Sequence, residues 1–232
     1  PRNYDGVYRG TVPARAALAL SLNAAAVDLA GQVGLPRVIE TARRLGVTSP
    51  LRAEMGLALG SSEVTLLELT GAYCPFFNGG RRVEPHGIVA VIGSDGNTLE
   101  ARQPETRPIL TEPEAFLVND LLREVVRTGT GRPLSRWGLA GLAAGKTGTT
   151  DDGRDAWFVG APPWLAAGIW TGEDTPRPLP ITGASAALPV WGEFMRETVP
   201  PDLRAFGAVD PWPRPAAIEE AEMLSRGGQY ES

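Results

Sequence analysis

From Gly141 to Thr171 the chain carries the pattern that most restricts its fold. Small residues end in a polar cluster (Gly141 to Thr150), and two short apolar runs follow (Ala156 to Gly160, Leu165 to Thr171), joined by Ala161-Pro162-Pro163-Trp164. Such runs are too short for helices and are bounded by turn residues, so they predict three successive antiparallel strands. Most of what precedes them reads as helix. Residues 13–33 are rich in Ala and Leu, with Gly34 closing the run. Leu35 to Leu45 repeat apolar residues at Val38, Ile39, Ala42 and Leu45, with Gly46 as a stop. Thr65 to Asn78 form a third helix candidate, ahead of Gly79-Gly80. Arg82 to Arg102 predict a hairpin with a β-rich run (Ile88 to Ile92) and the turn Ser94-Asp95-Gly96-Asn97. The clearest helix is Thr111 to Arg127, where Thr111 is the N-cap, Glu114 its capping-box partner and Pro113 lies in the first turn. After the strands, Ala186 to Val199 predict a helix with Val190, Trp191, Phe194 and Met195 on one face. Helices first and strands last make the fold class α+β.

Composition removes several functions. The 232 residues suffice for a core, and 43% are apolar. No apolar stretch reaches the ~18 residues of a membrane span. A net charge of −5 argues against nucleic acid as partner. One cysteine, Cys74, allows neither an internal disulfide nor a cysteine metal cluster. One histidine, His86, leaves no multi-histidine metal site, and a Ser-His-Asp triad only if His86 serves it.

Of the 22 basic residues only Lys146 is a lysine. Arginine keeps its proton, whereas lysine can be tuned by burial. Lys146 opens Lys146-Thr147-Gly148-Thr149 on the inner strand candidate, and Ser21-Leu22-Asn23 lies inside the first helical segment. Ser-x-x-Lys, Ser-x-Asn and Lys-Thr-Gly are the motifs of penicillin-binding proteins and serine β-lactamases. Two of the three occur here, in order. Further runs agree: Asn3-Tyr4-Asp5-Gly6, Leu59-Gly60-x-Ser62-Glu63-Val64-Thr65, Phe77-Asn78-Gly79-Gly80, Arg154-Asp155-Ala156-Trp157-Phe158-Val159-Gly160 and Pro189-x-Trp191-x-x-Phe194-Met195. Jointly they resemble the transpeptidase domain of class A penicillin-binding proteins over roughly residues 1–200.

The resemblance implies a penicillin-binding, serine β-lactamase-like fold: an antiparallel sheet flanked by helices, with a helical subdomain carrying Ser21 to Asn23. It implies D-Ala-D-Ala transpeptidation on peptidoglycan stem peptides, blocked by β-lactam antibiotics. Ser21 would relay a proton to the leaving D-alanine, and Asn23 would hold the side-chain amide of the substrate. Lys146 would polarise Ser21 and attract the terminal carboxylate, which Thr147 and Thr149 would bind. The Thr149 N–H would supply half of the oxyanion hole, and Gly148 would let the peptide lie along the strand. No cofactor and no metal is implied. An upstream glycosyltransferase domain, a membrane anchor and an extracytoplasmic location are.

One departure stands out. With a single lysine the chain holds no Ser-x-x-Lys, so the nucleophile would lie upstream of Pro1. The chain therefore reads as a fragment, or the product of a truncated gene, incomplete at its N-terminus. Alone it would not react with penicillin, and its sheet would keep an open edge. Residues 201–232 read as a Pro-rich, acidic tail, loosely ordered or a short helix after a linker.

Rival readings remain. A P-loop would need Gly where Ala140 stands. A catalytically inactive module binding muropeptides or β-lactams is a second reading, and a D,D-carboxypeptidase or β-lactamase a third. Cys74, among Tyr73, Phe76 and Phe77, reads as a small hydrophobe, and His86 as a rim residue. Asp151, Asp152 and Asp155 read as a turn rather than a cation site. Trp157, Trp164, Trp170 and Trp191 read as core.

Overall fold

The computed structural model describes residues 1–150, 153–175, 177–200 and 210–219. The turn residues Asp151 and Asp152, and the acidic run from Glu220, lie outside them.

Six helices are named here: α1 (Ala14–Ala19), α2 (Asn23–Val33), α3 (Leu35–Leu45), α4 (Leu66–Phe77), α5 (Glu112–Arg127) and α6 (Leu188–Thr198). Four short strands, β1 (Arg81–Val83), β2 (Ala90–Ile92), β3 (Thr98–Ala101) and β4 (Thr106–Pro108), precede α5. The main sheet is β5 (Ala144–Thr149), β6 (Asp155–Ala161) and β7 (Ala167–Gly172), in the order β5-β6-β7 with both pairings antiparallel. The three predicted strands are therefore present. Among the described residues the Lys-Thr-Gly strand is, however, the edge strand β5 and not an inner one, with no strand paired to its other side.

Helices cover both faces of this sheet. Phe158 of β6 points at α6 and meets Trp191 edge-on, with ring centroids 4.9 Å apart. In the next register pair, Val159–Gly168, a side chain on Gly168 would strike Thr70 of α4. The core gathers Val126, Leu134, Leu139, Phe158, Leu188, Trp191 and Met195.

On α6 the buried face is Leu188, Trp191, Gly192 and Met195. The predicted face was partly wrong: Val190 is 53% exposed and Phe194 48%. Of the four tryptophans read as core only Trp191 is fully buried. Trp157 and Trp170 form a half-buried cross-strand pair, and Trp164 is half-buried too. Cys74 donates its thiol to the Thr70 carbonyl one helical turn back (3.5 Å), and His86 sits half-buried beside Glu84.

Two capping boxes set the helix starts. Thr111 and Glu114 cap α5, and Thr65 and Glu68 cap α4. Glu68 also accepts the N–H groups of Thr48 and Ser49 (2.8 and 2.9 Å), so one carboxylate ties the end of α3 to the start of α4. The Ser49 and Thr48 hydroxyls, which also donate to it, hold its pKa far below the usual carboxylate range, with the Thr48 N–H adding to them. Replacing Thr111 by Ala is expected to cost about 1 kcal/mol in a urea-unfolding series, the usual value of an N-cap.

The hairpin is more elaborate than predicted. β2 and β3 pair around the turn at 93–97, and β1 and β4 form a second ladder outside them. Further along the chain, residues 210–219 lie against the domain. Trp212 is buried, packs at a tilt against Phe77 and donates its indole N–H to the Leu142 carbonyl (3.1 Å). Asp210 pairs with Arg123 of α5 at 2.9 Å.

Candidate active site

The first helical segment is not continuous. It breaks between α1 and α2, where Ser21 adopts φ 55°, the one non-glycine with positive φ among the described residues. Ser21 and Leu22 thus form a turn, and Asn23 opens α2. A serine in the left-handed region costs on the order of 1–2 kcal/mol, so the surroundings must hold it. They do so by three backbone bonds: Leu20 N–H to Ala16 O (3.0 Å), Ser21 N–H to Leu18 O (3.1 Å) and Leu22 N–H to Ala17 O (2.9 Å).

That turn brings Ser21 to the edge strand. Lys146 Nζ donates to Ser21 Oγ at 2.9 Å, across 125 residues of sequence. It also reaches the Thr147 carbonyl (2.9 Å) and Thr147 Oγ1 (3.4 Å). An ammonium has three donors, and these contacts engage them all. Because Ser21 Oγ accepts from Lys146, its own proton is left to donate elsewhere. Burial pushes the Lys146 pKa down to about 8. The ammonium therefore stays charged at neutral pH, but close to its titration point.

Thr149, exposed at the end of β5, accepts the Gly183 N–H at 2.9 Å. Gly183 opens a π-helical turn (Gly183–Ala187) capped by Thr182. A Cβ at Gly183 would lie 2.5 Å from both the Gly148 and Trp157 carbonyls, so only glycine fits beside β5. Gly148 itself faces Trp157, its register partner on β6.

Asn23 is engaged elsewhere: its Nδ2 donates to the Arg2 carbonyl (3.1 Å). Asn3, buried, accepts the Ala24 N–H (3.1 Å), so residues 2–7 lie across the start of α2. The structure thus joins Ser21, Lys146 and Thr147 in one bonded cluster. Thr149 follows on the same strand, and Asn23 makes no hydrogen bond to the cluster.

Sequence reading missed Thr130. It lies in the Thr128-Gly129-Thr130-Gly131 turn after α5, and its Oγ1 is 2.7 Å from Thr147 Oγ1. A Thr-Gly repeat just past a helix end was the available signal, but it marks a turn and names no partner.

This geometry can deliver a proton from Ser21 and hold an anion near Lys146, beside the edge strand β5. Comparison with known proteins gives the family. The family model described as "Penicillin binding protein transpeptidase domain" matches residues 2–170. Penicillin-binding protein 1A of Aquifex aeolicus (strain VF5) is 42% identical over 198 residues, 84% of this chain. Penicillin-binding protein 1B of Vibrio cholerae is 36% identical over 214 residues, 92% of the chain. The chain spans 27% of the length of each of these curated relatives. Among solved structures, penicillin-binding protein 1A from Haemophilus influenzae superposes with TM-score 0.81 at 23% identity, over 91% of this chain and 38% of that one. The PonA1 protein from Mycobacterium tuberculosis, in complex with penicillin V, gives 0.74 at 22% identity, over 94% of this chain and 63% of that one. By motif, matched length and fold, the chain belongs to the transpeptidase-domain family of penicillin-binding proteins, in its class A branch.

Proposed function

We propose that this chain forms part of a peptidoglycan D,D-transpeptidase that cross-links stem peptides ending in D-Ala-D-Ala through a serine acyl-enzyme. The observation that carries the reading is the Lys146–Ser21 hydrogen bond at 2.9 Å beside an edge strand. The chain holds one lysine and no Ser-x-x-Lys, so the nucleophilic serine and its lysine come from a segment outside these residues. That serine attacks the carbonyl of the penultimate D-Ala and gives its proton to its own lysine, which in turn resupplies Ser21. Ser21 passes a proton to the departing D-alanine amine, which leaves as the C–N bond breaks. An acceptor amine then attacks the ester, loses a proton through Ser21, and frees the serine.

The other roles are those the family resemblance implies. Thr147 and Thr149 present hydroxyls to the terminal carboxylate under the positive potential of Lys146. Thr149 can do so because Gly183 uses it as an acceptor and leaves its proton available. The Thr149 N–H serves as half of the oxyanion hole, and Gly148 lets the peptide add to the edge of β5. Asn23 exchanges its bond to Arg2 for the substrate amide. A β-lactam acylates the same serine. The protein works outside the cytoplasm, anchored and joined to a glycosyltransferase domain by segments outside these residues; no helix among the described residues is long and apolar enough to cross a membrane.

A muropeptide- or β-lactam-binding module without catalysis is the second reading, favoured by the absence of Ser-x-x-Lys. Chromatography of muropeptides formed by the full-length gene product from a pentapeptide substrate separates the two. Penicillin-sensitive dimers are expected, falling about a hundredfold in Ser21→Ala, the scale of a lost proton relay. No dimers from a folded protein would leave the binding module.

A further inference from the structure

We propose that Thr130 is a positioning residue for acyl transfer, holding the Ser21 turn and the Lys146 strand at a fixed spacing and aiming the Thr147 hydroxyl into the cleft. This rests on the transpeptidase reading above. Thr130 touches both sides. Its backbone N–H donates to the Ala19 carbonyl (3.1 Å), at the end of the helix that delivers Ser21. Its Oγ1 meets Thr147 Oγ1 on β5 at 2.7 Å. The turn that carries it cannot drift. A Cβ on Gly129 would lie 2.0 Å from the Ala19 carbonyl, so the turn is pressed against α1. Gly129 and Gly131 both donate to the Val125 carbonyl (3.1 and 2.9 Å), which fastens the same turn to α5.

Counting protons gives the direction of the hydroxyl pair. Thr147 Oγ1 already faces the Lys146 ammonium, from which it can only accept. If Thr130 donates as well, both lone pairs of Thr147 are occupied and its proton turns outward, where a substrate carboxylate would lie. If Thr147 donated to Thr130, it would have no proton left for that carboxylate. Thr130 therefore acts through Thr147 without touching the substrate.

Two measurements test this. In the full-length gene product, Thr130→Val keeps the shape and removes the hydroxyl. The rate constant for acylation by benzylpenicillin is expected to fall roughly ten- to hundredfold, the scale of a misplaced group. Thr130→Ser should restore it to within about threefold, since it keeps the donor. Thr128→Val, an exposed hydroxyl two residues earlier, is the control and should act like wild type. Acylation of Thr130→Val at the wild-type rate, or no rescue by serine, overturns the proposal.

The second measurement needs no nucleophile. Because Lys146 is the only lysine, lysine labelled with ¹³C at Cε gives one NMR signal in this 232-residue chain. That signal should move in Thr130→Val and return in Thr130→Ser; an unmoved signal overturns the positioning role. If the wild-type full-length protein is not acylated at all, the transpeptidase reading fails by itself, and the Lys146 signal alone decides for or against Thr130.

Discussion

Lys146→Met is expected to slow penicillin acylation of the full-length protein roughly a hundred- to thousandfold while making the domain more stable. The first effect follows from electrostatics. The ammonium bonds Ser21 Oγ in a half-buried site, and in the proposed reaction it polarises that hydroxyl and supplies positive potential where the substrate carboxylate would bind. Removing one such group from a preorganised site costs roughly a hundred- to thousandfold in rate. The second effect follows from the depressed pKa. Lys146 titrates at about 8 in the folded chain against 10.5 for free lysine, and burial is the cause. Below pH 8 the folded and unfolded chains both carry the charge, and the folded one bears the full cost of burying it. Between pH 8 and 10.5 the unfolded chain holds a proton that the folded chain has released. Stability therefore rises with pH across that window. The cost at neutral pH is about 1–3 kcal/mol, the lower end reflecting the partial exposure of the group. Methionine fills a similar volume without charge, so Lys146→Met should gain much of this and lose the rise. Urea unfolding of both proteins from pH 7 to 10 checks it. A variant less stable at pH 7, with the same pH slope as wild type, would contradict the account.

Trp191→Ala is expected to lose about 3–5 kcal/mol, the usual cost of truncating a buried aromatic. Trp191 is fully buried, packs edge-on against Phe158 and donates its indole N–H to the Ala167 carbonyl at 3.0 Å. It therefore joins α6 to β6 by packing and to β7 by a hydrogen bond. A domain with a total stability of about 5–15 kcal/mol would be left near its unfolding threshold. Phe194→Ala, three residues on and half exposed, should change stability by less than about 1 kcal/mol. The two melting curves together test which face of α6 is the inner one.

That face shows what sequence could and could not reveal. Val190, Trp191, Phe194 and Met195 satisfy helical spacing, but so do Leu188, Trp191 and Met195. Hydrophobicity alone favours the set with the larger side chains. The sheet selects the other, because Gly192 allows α6 to close against Trp137. The three strands and the start of α5 were legible, since local pattern and capping chemistry carry them. The break at Ser21 was not. Ala-Leu-Ala-Leu-Ser-Leu-Asn has ample helix propensity, and α1 ends where Thr130, over a hundred residues away, takes the Ala19 carbonyl. The β1–β4 ladder was equally hidden. Arg-Arg-Val and Thr-Arg-Pro show no alternation, and the pair is fixed by Asn78, whose side chain bonds both the N–H and the carbonyl of Arg81. Ser21 and Lys146 were readable as motifs, whereas Thr130 acts through a tertiary contact that no local pattern encodes.

In the proposed reaction Ser21, Lys146 and Thr147 form the proton-relay and carboxylate side of an acyl-transfer site whose nucleophile lies outside these residues. Intact mass after incubation with benzylpenicillin tests it most directly, on the full-length gene product, its Lys146→Ala variant and the 232-residue chain. A single penicilloyl adduct on the full-length protein, lost in Lys146→Ala and absent from the chain alone, is the predicted result. A folded full-length protein that takes up no penicillin, or one that is acylated equally well without Lys146, would contradict it.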